Sequence, residues 1–256
     1  MVNNPSRESP PGISSDVSAG PETLAPTASG AMLYDASCCG QPDERIFARD
    51  HWRARGALEE SAGGRGTVAF IRDGEQRWVL RHYRRGGLVA KLLGDHYLWT
   101  GADRTRAFRE WRLLRELRAA GLPVPEPVAA RYERRGLFYR ADLITAELPT
   151  RRTLTHALSA APLEPATWRA VGACVGRLHA RGVHHADLNA HNLLIGDDGA
   201  VYVLDFDRGR IRPRGAWEQS VLERLQRSLR KVTAAMPPGR FDDEAWQALL
   251  QGLKDT

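Results

Sequence analysis

Three side chains suited to phosphate chemistry lie close together in this 256-residue chain: Asp187, Asn192 and Asp205. The first two belong to His185-Ala-Asp187-Leu-Asn-Ala-His-Asn192, and the third to Val203-Leu-Asp205-Phe-Asp207. One carboxylate can orient an attacking hydroxyl and accept its proton. An amide oxygen and a second carboxylate can hold a hard cation against nucleotide phosphates. Residue types and order therefore point to phosphoryl transfer from a nucleotide. His184 and His191 lie nearby, but the acid-rich surroundings favour a hard cation over zinc.

The elements that position these residues can be read locally. Leu193-Leu-Ile195 has a strand pattern, Gly196-Asp-Asp-Gly199 is a turn, and Val201-Tyr-Val-Leu204 is a second strand that ends on Asp205. That places Asp187, Asn192 and Asp205 at one end of a small hairpin. Upstream, Gly63, Gly64 and Gly66 precede a strand at Thr67–Ile71. Arg72-Asp-Gly-Glu turns the chain, and Gln76–Arg81 returns it. Such a glycine-rich hairpin lets backbone N–H groups approach phosphate. Thr105–Gly121 is the clearest helix, with Phe108, Trp111, Leu114 and Leu117 at helical spacing and Gly121 and Pro123 as its stop. Two strands follow, around Val128–Tyr132 and Leu137–Thr145. Helices are then expected at Thr155–Leu158, Pro165–Gly182, Trp217–Lys231 and Asp242–Leu253.

The spacing of Asp187, Asn192 and Asp205 resembles the protein-kinase catalytic loop and its metal-binding Asp. More narrowly, these motifs together with Leu80-Arg-His-Tyr-Arg-Arg-Gly-Gly87 resemble the 3-deoxy-D-manno-octulosonic acid (Kdo) kinases, lipopolysaccharide-core kinases of Gram-negative bacteria. The resemblance covers roughly residues 45–235, and the Leu80–Gly87 segment is its specific part. It implies an α+β, bilobal protein-kinase-like fold: a small, mostly antiparallel β N-lobe with one helix, and a larger helical C-lobe. The expected division is a disordered tail over 1–42, an N-lobe over 43–148 and a C-lobe over 149–256.

The resemblance also implies roles. Asp187 becomes the catalytic base and Asn192 and Asp205 the Mg2+ ligands. His185 braces the catalytic loop. Gly63, Gly64, Gly66, Arg81 and Glu110 become the ATP-binding set. Arg81 stands where protein kinases carry a phosphate-binding Lys, a departure that reads either as an adapted phosphate ligand or as a degenerate site. Glu110 matches the helix Glu that pairs with that cation; its other reading is a local pair with Arg106 or Arg109. Asp207 replaces a Gly, and either binds a second metal or pairs with Arg208 or Arg210. Arg84, Arg85, Arg208, Arg210 and Arg212 are candidates for an anionic acceptor. The acceptor implied is the 4-hydroxyl of Kdo on a Kdo-bearing lipid A precursor, with peripheral contact to the cytoplasmic face of the inner membrane.

Composition agrees with such a partner. The net charge is +6 and the isoelectric point about 9.6, with Arg the main contributor. No apolar run approaches the roughly 20 residues of a spanning helix. No secretory signal is visible, and three cysteines make no disulfide framework. Leu88–Leu93 reads as a lobe-packing helix or a lipid contact. Other readings are a heptose or aminoglycoside-type kinase, a kinase-fold binding module without turnover, and a nucleic-acid binder. The last lacks interleaved surface aromatics, so no nucleic acid is expected.

Overall fold

The structure, a computed structural model, describes residues 20–60, 68–84 and 94–256. Gly63, Gly64, Gly66 and Arg85, and the segment Leu88–Leu93, lie outside the described residues. The described residues begin with strands β1 (Glu22–Thr27) and β2 (Gly30–Asp35), then helices α1 (Ala36–Cys39) and α2 (Arg49–Ala54). Next come β3 (Leu58–Glu60), β4 (Val68–Asp73), β5 (Gln76–His82) and β6 (Tyr97–Leu98). Helix α3 (Arg106–Ala119) precedes β7 (Pro127–Arg135) and β8 (Phe138–Ala146). These eight strands form one sheet in the order β1-β2-β7-β8-β5-β4-β3, with β6 added to β8, every pairing antiparallel.

The expectation of a disordered tail over 1–42 is corrected from residue 20 onward. Met32, Leu33 and Tyr34 of β2 are buried, and β2 pairs with β7 from Gly30↔Glu133 to Tyr34↔Ala129. Local composition carries little strand signal here, and pairing with β7 supplies the order. Among the described residues of this part, α3 is the one long helix, and α1 and α2 are short. Sheet faces divide the core in two. Phe108, Trp111, Leu114 and Leu117 bury the α3 stripe on one face, while Trp52, Trp78, Ile71 and Ile144 fill the other.

Beyond β8 the chain is mainly helical: α4 (Leu154–Ala160), α5 (Pro165–Ala180), α6 (Trp217–Thr233) and α7 (Asp243–Lys254). Two small ribbons lie among them, β9 (Val183–His184) with β12 (Arg210–Ile211), and β10 (Leu193–Ile195) with β11 (Val201–Val203). Helix α5 starts on Pro165, whose missing N–H costs nothing at a first turn, and buries Val171, Cys174, Val175 and Leu178. It packs closely on α7 because glycines face backbone. A Cβ on Gly172 would lie 1.9 Å from the Leu249 carbonyl oxygen, and one on Gly252 2.0 Å from that of Arg169. Gly182, at φ +69°, ends the α5 turn and abuts β12, where a Cβ would meet the Arg212 carbonyl oxygen at 2.3 Å. The catalytic-loop segment thus leaves a rigid helix through a fixed turn. Among the described residues, no helix is long and apolar enough to cross a membrane.

Candidate active site

The loop between β9 and β10 is held from within and from behind. Asn192 Nδ2 donates to the Asp187 carbonyl oxygen at 3.0 Å, which fixes the five-residue spacing as one turn of chain. The Asn192 carbonyl oxygen accepts from Leu204 N–H at 2.8 Å, joining the loop to the end of β11. Asp187 N–H donates to His185 Nδ1 at 3.3 Å, so His185 Nε2 carries the proton and donates to the Leu204 carbonyl oxygen at 2.8 Å. Burial holds the His185 imidazole below its usual pKa, consistent with a neutral ring. His185 also sets its ring 4.8 Å from that of Phe206. The imidazole is therefore a brace between the two motifs, as expected.

Asp205 is the sole non-glycine residue with positive φ among those described, at +64°. An L side chain in that region is strained by about 1–2 kcal/mol, so surrounding contacts must enforce it. The main one is Arg81, whose Nη1 donates to Asp205 Oδ1 at 2.5 Å. Arg81 Nη2 donates to Glu110 Oε2 and, at 3.1 Å, to the Tyr83 hydroxyl, which itself donates to Glu110 Oε2 at 2.5 Å. Glu110 Oε1 accepts from Phe206 N–H at 3.1 Å. The Arg81–Glu110 pair is the one expected from sequence; the local pairs with Arg106 or Arg109 do not form. The bridge from Arg81 to Asp205 was not anticipated. Burial acts to raise the Asp205 carboxyl, but Arg81 outweighs it and leaves the acid below its usual pKa. For Glu110, which is 2% exposed, burial dominates and moves the carboxyl up against the pull of Arg81.

Arg81, Glu110, Asn192 and Asp205 share the wall of one cavity of about 360 Å3. Val68, Val79, Leu143, Leu194 and Leu204 contribute aliphatic surface to the same cavity. Thr145–Leu148, at the end of β8 and beyond, also line it, as do Thr150, Arg151 and Thr153. A heterocycle among these aliphatic side chains, with its phosphates near Arg81 and Asp205, fits this mixed lining. Asn192 and Asp205 supply hard oxygens. Among the described residues, no group of three or more His, Cys, Asp or Glu is arranged to hold a metal ion alone. A divalent cation at this pair would take its remaining ligands from nucleotide phosphates and water, as Mg2+ commonly does, so the donor set fits.

Asp187 is half-exposed, and its Oδ1 accepts from Arg224 Nη1 at 3.1 Å. Arg224 lies on α6, and Ser228, one turn further, accepts from Ala190 N–H at 3.2 Å. Sequence reasoning missed Arg224, because nothing local marks one Arg among several on a charged helix. Arg208, Arg210 and Arg212 are exposed and form no ion pair among the described residues. Arg210 is in register with His184, and Arg212 N–H donates to the Gly182 carbonyl oxygen at 2.9 Å, so both flank the strand that enters the catalytic loop. Arg84 is exposed, two residues beyond the end of β5 at His82. The ion pair of Asp207 is with Arg106, at 2.7 Å, rather than with Arg208 or Arg210.

A strand-borne cation tied to a helix Glu, a braced Asp–Asn loop and a strand-end Asp facing an apolar slot define a bilobal, protein-kinase-like phosphotransferase. A family model described as "Lipopolysaccharide kinase (Kdo/WaaP) family" matches residues 49–252. Relatives named "3-deoxy-D-manno-octulosonic acid kinase" are similar over most of their length. One from Stenotrophomonas maltophilia (strain R551-3) is 46% identical over 205 residues, 79% of this chain and 81% of its own. One from Vibrio parahaemolyticus is 40% identical over 78% of this chain and 84% of its own, and one from Vibrio vulnificus (strain YJ016) 37% over 87% and 94%. The chain belongs to the lipopolysaccharide kinase (Kdo/WaaP) family, and as a kinase it is an ATP-using phosphotransferase.

Proposed function

We propose that this kinase transfers the γ-phosphate of ATP, with Mg2+, to the 4-hydroxyl of Kdo on a Kdo-bearing lipid A precursor in lipopolysaccharide inner-core biosynthesis. The observation that carries the reading is the Arg81 fork, which joins Glu110 to Asp205 in the wall of a nucleotide-sized cavity. A pure binding module has no use for that bridge alongside an intact Asp187 and Asn192. Relatives bearing the Kdo kinase name direct the choice of acceptor.

In this reading Asp187 orients the acceptor hydroxyl and takes its proton as the phosphoryl group leaves ATP. Asn192 and Asp205 hold the cation, which when bound neutralises charge on the transferred phosphate. Arg81 orients the phosphates and, through Glu110, keeps α3 against the site. Gly63, Gly64 and Gly66 belong to the nucleotide side of the same proposal. Arg224, which pairs with Asp187, would meet the acid group of the acceptor. Arg84, Arg85, Arg208, Arg210 and Arg212 extend that anionic surface. The nucleotide-side lobe spans 43–148, with the β1–β2 hairpin added, and the catalytic lobe 149–256. An amphiphilic, anionic acceptor and a basic surface together support peripheral contact with the cytoplasmic face of the inner membrane.

The test is transfer of labelled phosphate from ATP to Kdo-bearing lipid A precursor, with heptose-containing and aminoglycoside acceptors alongside. Transfer to the Kdo acceptor, with the phosphate at O4, is expected. Preferential transfer to another acceptor would reassign the substrate, and nucleotide binding without any transfer would favour the inactive module.

A further inference from the structure

Asp207 occupies the last position of the Asp205-Phe206-Asp207 triplet, and its partner comes from the first residue of α3. Its Oδ2 lies 2.7 Å from Arg106 Nη2, with both side chains about four-fifths buried. Arg106 is fixed in turn. Its Nη1 donates to the Tyr97 hydroxyl at 2.9 Å, its guanidinium sits 4.7 Å from the Tyr97 ring centre, and its backbone N–H donates to the Tyr139 hydroxyl at 3.1 Å. Tyr97 and Tyr139 are themselves partners across β6 and β8. Four residues along the same helix face, Glu110 accepts from Phe206 N–H. Helix α3 therefore grips two consecutive residues of the triplet with side chains of opposite charge.

We propose that the Arg106–Asp207 ion pair is a positioning device for phosphoryl transfer, pinning the first turn of α3 to the loop that carries Asp205. The proposal rests on the reading of this site as a kinase centre. Glu110 by itself is a single pivot. Swinging of α3 about that point would turn the Glu110 carboxylate out of line with Arg81, which also holds Asp205. A second contact one turn away removes that freedom. Asp207 Oδ1 is buried without a hydrogen-bond partner, so the carboxylate depends on Arg106 for its compensation. Asp207 is thus a positioning residue, and the α3 helix is held in its working place by an interaction built into the chain.

The experiment is a mutant cycle in the full chain: Arg106→Gln, Asp207→Asn, the double variant, and Arg106→Lys as the charge-preserving control. Each neutral single should lower kcat about tenfold with the acceptor KM unchanged, and the double should be no worse than the poorer single, because both remove one contact. Arg106→Lys should recover most of the loss, and the Mg2+ concentration for half-maximal rate should stay constant throughout. A raised Mg2+ requirement in Asp207→Asn but not in Arg106→Gln would overturn the proposal and make Asp207 a metal ligand. Multiplicative losses in the double would overturn it too. Hydrogen exchange of the nucleotide-free variants decides the matter without activity. Amides of Ala107–Glu110 and Phe206 should lose protection in either single, and no further in the double. Unchanged protection in both singles would overturn the proposal even if wild-type transfer, and with it the kinase reading, had failed separately.

Discussion

Protein kinases carry Lys where this chain has Arg81, so Arg81→Lys asks whether the site is a worn version of theirs or a different solution. Arg81 uses separate nitrogens for Asp205 and Glu110 and a further contact to Tyr83. A lysine ammonium is one point donor and cannot span both carboxylates from the same backbone position. One charge-assisted hydrogen bond is then lost, worth about 1.5–3 kcal/mol. If that contact is made in the transition state, kcat/KM for ATP falls roughly 10- to 150-fold. Arg81→Ala goes further, leaving Glu110 buried without its cation at a cost of about 3–5 kcal/mol, so its thermal midpoint should fall while that of the Lys variant moves less. The assay is initial rate against ATP at saturating acceptor, paired with thermal denaturation. Wild-type kcat/KM in Arg81→Lys, or any gain, would refute the bridging role.

Three further outcomes follow from the same geometry. Arg224→Ala should raise the acceptor KM more than the ATP KM in steady-state kinetics, and Arg210→Ala with Arg212→Ala should do so more weakly; the reverse ranking would move the acceptor elsewhere. His179 is held down to about 4 from 6.5, chiefly by burial against Trp217. The folded state refuses a proton that the unfolded chain accepts, so stability is lost as pH falls from 6.5 toward 4, by ~3 kcal/mol (2.5 units at 1.36 each). His179→Gln should flatten that acid limb in thermal midpoints measured against pH, and an unchanged limb would place the effect on other groups. Gly172→Leu should wedge α5 from α7 and lower the thermal midpoint by several degrees, whereas a neutral effect would mean that the helices separate without cost.

What was legible in the sequence follows physical locality. The α3 stripe, the β10–β11 hairpin and the Asp187–Asn192 loop are set by residues within a few positions of one another, and all appear where spacing placed them. The Glu110–Arg81 pair, 29 positions apart, was reachable only through a resemblance. Residues 22–35 escaped because Pro, Gly and Ala dilute a strand signal, and the decisive contribution is the neighbouring β7. Arg106 and Arg224 escaped for a related reason. Each is one Arg on an Arg-rich helix, and only the tertiary fold says which of them faces Asp207 or Asp187.

The central claim is that Asp187 performs the chemistry while Arg81, Asn192 and Asp205 hold the nucleotide. Single-turnover transfer by Asp187→Asn, with ATP affinity measured on the same protein, tests it most directly. The account predicts near-normal ATP affinity and a chemical step slower by about 10²–10⁴. Transfer at the wild-type rate, or loss of ATP affinity in place of chemistry, would contradict it.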